Sequence, residues 1–137
     1  MNRSDFQHLA RIRINEAKVL LDNGCDDGAY YLAGYAVECA LKACIAKQTQ
    51  RHDFPDKKQA DDSHTPDLTK LIKVAKLEGK LNETTALNAT FAENWRILRT
   101  WSETARYKTT TQQLAEKLYN AIVDRQDGVL SWLKKFW

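Results

Sequence analysis

Residues 28–47, GAYYLAGYAVECALKACIAK, decide the reading of this chain. Wound as a helix, the stretch is apolar around nearly its whole circumference, yet it carries Glu38 and, four residues on, Lys42. A helix apolar on every side must be surrounded, either by lipid or by other helices. Residues 29–46 approach membrane-spanning length, but Glu38 and Lys42 near the middle are costly in hydrocarbon, and the polar residues that follow offer no second span. The stretch therefore reads as the buried centre of a helix bundle. Ala29, Ala33, Gly34, Ala36, Ala40 and Ala43 are small and let neighbouring helices approach closely, while Tyr30, Tyr31 and Tyr35 fill the wider gaps.

The rest of the chain agrees with that centre. At 137 residues it is long enough to bury one core, so residues 1–137 read as a single helical domain. Only five Gly and two Pro punctuate it, which suits long helices and an all-α, up-and-down bundle of four or five helices. A net charge of +3 permits an acidic partner without demanding one. The start, MNRSDFQHLARIR, is amphipathic with no apolar run after its charges, so no signal peptide is visible and a cytoplasmic protein is expected. Cys25, Cys39 and Cys44 match no zinc or disulfide spacing and read as reduced thiols, two of them in the core.

Working outward, a first helix runs from Ser4, with Gln7 completing a capping box, to about Leu21, ended by Gly24. Phe6, Leu9, Ala10, Ala17, Leu20 and Leu21 share one face, and Arg13 falls near its centre. Two readings of Arg13 stand: snorkelling at a shallow rim, or an ion pair with Glu38 of the next helix. Residues 48–64, QTQRHDFPDKKQADDSH, are polar and aperiodic and read as a mobile surface loop. Thr65-Pro66-Asp67 starts a short third helix that buries Leu68, Leu71, Ile72 and Ala75 and stops at Gly79. A fourth, from about Asn82 to Thr104, turns Ala86 or Leu87, Phe91, Trp95 and Leu98 inward. Capping boxes at Thr109 or Thr110 open a long fifth helix with Leu114, Leu118, Ile122, Val129 and Leu133 buried, and Gly128 a site of bending.

Chemistry has few places to sit. No phosphate loop, HExxH or Cys-x-x-Cys occurs, and His8, His52 and His64 stand apart with no second metal ligand beside them, so neither metal nor cofactor is expected. The remaining cluster is residues 95–107, WRILRTWSETARY. Guanidinium groups beside exposed aromatics hold a phosphate while a base stacks, which singles out Arg99, Arg106, Tyr107 and Trp101. Glu103 serves as an acid or base, or simply pairs with Arg99 four residues earlier. The plainer alternative makes Trp95 and Trp101 core residues and Arg99–Glu103 a surface pair.

These segments together resemble the HEPN domains (higher eukaryote and prokaryote nucleotide-binding). The resemblance rests on Tyr30-Tyr31 and on AVECALKA at residues 36–43, with Ala36, Glu38, Leu41 and Lys42 its core. It continues through His64, Leu68 and Leu71, the tryptophan-rich fourth helix ending in Arg106-Tyr107, and the fifth helix. It implies a helical bundle, usually a homodimer. Many members of the family are metal-independent ribonucleases, while others partner minimal nucleotidyltransferases in toxin–antitoxin pairs or serve in defence. The ribonucleases carry an Arg, then four to six residues, then a His, two such pairs meeting across the dimer cleft. Matched on Tyr107, this chain places Arg99 at the Arg and Ala105 at the His; shifted by one, Arg106 takes the His position. No register supplies a His, because residues 88–137 contain none. Cleavage without metal needs a group that exchanges a proton near neutral pH; Ala cannot and Arg stays charged.

The expectation is thus a non-catalytic module, dimeric, that binds a protein partner, a nucleotide or RNA around Arg99, Arg106 and Tyr107. The alternative is a metal-independent ribonuclease using Arg99, Glu103 and Tyr107. By analogy with the family, Tyr107 is also a target for modification by a partner nucleotidyltransferase. A third reading makes the aromatic tail, Trp132 to Trp137, a dock for a larger protein.

Overall fold

The structure is a computed structural model describing residues 1–49, 54 and 57–137. It is all-helical: α1 (Arg3–Asp22), α2 (Asp26–Gln48), α3 (Lys57–Asp62), α4 (Leu68–Val74), α5 (Glu78–Leu87), α6 (Ala89–Arg99), a 3-10 turn (Glu103–Tyr107), α7 (Gln112–Val123) and α8 (Val129–Leu133). No strand occurs among the described residues, and no described helix is long and apolar enough to cross a membrane. The helix bundle expected from the sequence is what the chain forms, with α2 at its centre against α1, α4, α7, α8 and the 3-10 turn.

The small residues of α2 explain that central place. Ala29, Ala33, Gly34, Ala36, Ala40 and Ala43 are all buried, so neighbouring elements come close to its backbone. Gly34 marks the tightest approach: a Cβ there would lie 2.1 Å from Cε2 of Trp101. The α1–α2 turn is closed by Gly24 in the left-handed region (φ 75°), as the sequence suggests, and by Cys25 N–H donating to Leu20 O at 2.8 Å.

Helix boundaries differ from expectation wherever a side chain captured the backbone. α1 starts two residues early because Asn2 and Asp5 close a reciprocal capping box, each accepting from the other's N–H at 2.9 Å; Ser4 and Gln7 do not form it. Asp67, not Thr65, caps α4 by accepting from Thr69 and Lys70. α4 is ended by Lys76 in a left-handed conformation (φ 56°), and Gly79 lies inside α5. Residues 48–64, expected as an aperiodic loop, include the end of α2 and all of α3, with part of the stretch outside the described residues.

The expected fourth and fifth helices are each divided. Asn88 leaves the helical region (φ −136°) and its side chain accepts from Phe91 N–H, starting α6 afresh. Phe91, Trp95 and Leu98 are buried as anticipated, but Ala86 and Leu87 face solvent. Thr111 caps α7, and Asp124 ends it by drawing the N–H groups of Gln126 and Asp127 onto its carboxylate at 3.0 and 2.9 Å. Leu114 is exposed in place of the expected burial, whereas Leu118, Ile122, Val129 and Leu133 are core.

The aromatic tail is core rather than a free dock. Trp132 and Trp137 are buried, and Trp132 packs against Phe91 and Phe136 at ring separations of 5.3 and 5.1 Å. Arg3 donates to the Trp137 carbonyl, and the Arg11 guanidinium sits 4.9 Å over the Trp137 ring. That packing removes the reading of residues 132–137 as an unattached docking segment.

Candidate phosphate-gripping surface

α6 is amphipathic: Phe91, Trp95 and Leu98 fix its inner face, which leaves Arg96 and Arg99 exposed near its last turn. Arg96 is occupied by Glu93, forming two hydrogen bonds at 2.6 and 2.8 Å. Among the described residues Arg99 forms no ion pair, and in particular none with Glu103, the surface pair that the spacing offered. The chain then leaves the helix at Thr100, whose hydroxyl donates to Ile97 O at 2.7 Å, and turns inward at Trp101.

Trp101 is not an exposed stacking surface. It is 4% exposed, seated against Gly34 and parallel to Tyr31 at a centroid distance of 6.3 Å. From this buried anchor the 3-10 turn carries Arg106 and Tyr107 back to the surface. Tyr107 is 77% exposed, and the Arg106 guanidinium lies 4.9 Å over its ring. The charge on the Tyr107 phenol raises the Arg106 pKa above its ordinary value, and hydrogen bonding to Tyr107 and Tyr31 adds to this, so Arg106 stays a cation throughout the accessible pH range.

The next strand of backbone is held to the start of α2, where Thr110 N–H donates to Asp27 Oδ1 at 2.6 Å. Beside it lies a depression of about 190 Å³ lined by Asp27, Tyr30, Thr100, Ser102, Thr104 and Lys108, among others. Arg99, Arg106 and Lys108 make no ion pair among the described residues. Lys108 lines this depression together with the Asp27 carboxylate and the Ser102 and Thr104 hydroxyls, while Arg99, Arg106 and Tyr107 are exposed on the segment that leads to it.

No described imidazole reaches this surface. His8 is exposed on α1, His64 lies beside Glu38 and Lys42 at a different cavity, and His52 is outside the described residues. No described group of His, Cys, Asp and Glu side chains is arranged to hold a metal ion.

The polar residues of the core are placed otherwise than the Arg13–Glu38 pair required. Arg13 bonds Glu16 within its own helix at 2.8 Å and lies 6.0 Å over the Tyr35 ring, which is the rim arrangement. Glu38, 7% exposed, is paired with Lys42 of its own helix at 2.9 Å. Burial, and then the charge of Glu38, pushes the neighbouring Cys39 thiol up to about 11; burial pushes Cys44 to about 12. Both are free and buried, and Cys25 is free and exposed.

No curated protein and no solved structure matches this chain. The family model of the HEPN domain does, over residues 6–136, and the chain therefore belongs to the HEPN domain family.

Proposed function

We propose that this HEPN domain is a non-cleaving module that works as a homodimer and grips a phosphate-bearing ligand, RNA or a nucleotide, through Arg99, Arg106 and Tyr107. The observation that carries the reading is that Arg99, Arg106 and Lys108, at and around the 3-10 turn, form no ion pair among the described residues, with Arg106 lying over a Tyr107 ring that is 77% exposed. An unpaired guanidinium on the surface is free to take a phosphate in two parallel hydrogen bonds, and the open ring gives a base a flat partner. What cleavage would add is a proton-exchanging group at the same place. Ala105 stands where the family's ribonucleases hold His, and a permanent cation follows it. A toxin–antitoxin or defence setting, with a minimal nucleotidyltransferase as partner, fits such a module, and the exposed Tyr107 hydroxyl is open to a modifying enzyme.

The test is fluorescence anisotropy with a labelled single-stranded RNA at two salt concentrations, alongside a cleavage assay on total RNA. Binding that weakens steeply with salt, drops about tenfold in Arg99→Ala/Arg106→Ala and leaves the RNA intact is the expected result. Cleavage that disappears in Arg99→Ala or Glu103→Ala would instead establish the ribonuclease reading. Light scattering that gives a monomer at micromolar concentration would remove the dimer from the proposal.

A further inference from the structure

A larger cavity opens on another part of α2. A chamber of about 620 Å³ lies between α1, α2 and the segment leading into α4. That volume is typical of small-molecule sites. Phe6, Leu9 and Ile45 give it apolar walls; Glu38 and Lys42 contribute charge, and His64 and Lys76 line it as well.

Glu38 is the one buried charged side chain among the described residues, and its bonding is incomplete. Oε1 accepts from Lys42 Nζ at 2.9 Å, while the other carboxylate oxygen has no hydrogen bond among the described residues. The Lys42 ammonium, with three donors, uses one on Glu38 and shows no other partner. The second oxygen is open to solvent rather than sealed in the core, and a cationic donor arriving in the chamber gains a charge-assisted hydrogen bond there.

We propose that the chamber binds a small zwitterion with an apolar side chain, a free α-amino acid of the leucine or phenylalanine type. The ligand's ammonium meets the open oxygen of Glu38 and its carboxylate meets the remaining donors of Lys42. The side chain lies against Phe6, Leu9 and Ile45. His64 and Lys76 add donors and positive charge for the carboxylate end. Spacing favours an amino acid over a peptide: the charged atoms of Glu38 and Lys42 are 2.9 Å apart, so the ligand must carry its opposite charges close together, as an α-amino acid does on one carbon. The site is independent of the phosphate-gripping surface and stands or falls without it.

Calorimetric titration and thermal melting of the full chain with L-leucine and L-phenylalanine test the proposal. Three truncated probes accompany them: 4-methylpentanoate without the ammonium, isoamylamine without the carboxylate, and glycine without the side chain. Expected are saturable binding and a raised melting temperature with at least one of the two amino acids, and about tenfold or greater weakening for each truncated probe. Glu38→Gln and Lys42→Met should each weaken binding about tenfold. Leu9→Trp, which fills the chamber from a half-buried position, should abolish binding in a chain that still melts cooperatively; this variant decides the matter if the charge variants fold poorly. No binding of either amino acid, equal binding of 4-methylpentanoate, or undiminished binding in Leu9→Trp would each overturn the assignment.

Discussion

Two stretches of the same helix, roughly one turn apart, handle burial in opposite ways. Around Gly34, α2 is pressed against the Trp101 indole so closely that no side chain fits between them. Around Glu38 the helix keeps an ion pair at the wall of a wide chamber. Trp101 Nε1 in the first is buried without a hydrogen-bond partner, whereas in the second Glu38 keeps one oxygen on Lys42 and the other open to solvent. At Trp101 tight aromatic packing offsets the lost hydrogen bond, and the result is rigidity in the turn that presents Arg106 and Tyr107. At Glu38 there is space beside a charged pair, and a cavity with apolar walls and a few convergent charges is where a small molecule gains most. The contrast separates an anchor from a receptacle on one element.

The comparison breaks most visibly at the anchor. Trp101→Ala should cost about 3–5 kcal/mol of stability, measured by urea unfolding, and should weaken RNA binding by freeing the 3-10 turn. Gly34→Ala attacks the same contact from the other side; overpacking should cost about 1–3 kcal/mol, and Trp101→Leu in that background should recover part of the loss by making room. At the receptacle the effects shrink. Glu38→Gln should cost about 1–2 kcal/mol, less than breaking a fully enclosed pair, because Lys42 is partly open to water. Replacing both partners, Glu38→Met with Lys42→Met, should stay within about 1 kcal/mol of the parent in the same urea experiment. Smallest of all is the effect of thiol labelling at pH 8. Cys25 alone should react in the folded chain without changing the melting temperature, because burial keeps Cys39 and Cys44 protonated with pKa values near 11 and 12.

The centre of the fold was legible because a long apolar helix rich in alanine has few other uses. The sequence offers Arg13 as a partner for Glu38 because Arg13 shares a face with apolar residues, but Glu38 pairs instead with Lys42, an acid four residues ahead of a lysine being the favoured order on one helix. The divisions after Leu87 and Val123 were not legible, as the apolar spacing runs on through both. Local capture by the Asn88 and Asp124 side chains overrides that spacing, and both residues also serve well in turns. Trp101 stays open between stacking surface and core in the sequence because it lies beyond the end of α6, where helical periodicity assigns no face; the structure takes the core alternative. The signal that could have placed it was Gly34, a gap in the middle of a helix otherwise lined with methyl groups. Arg99, Arg106 and Tyr107 were visible as residue types, but only the geometry reveals that no carboxylate neutralises the arginines.

All four tryptophans, Trp95, Trp101, Trp132 and Trp137, are walls of the interior. Their emission should therefore be blue-shifted in the native protein and move to longer wavelength only on unfolding. Trp101 differs from the others in its surroundings: it stacks on Tyr31, and Tyr31 in turn stacks on Tyr35 at the edge of the chamber. One indole thus sits optically between the two sites. A chain in which the other three are replaced by phenylalanine would carry a built-in reporter, able to register an occupant on either side without any attached dye.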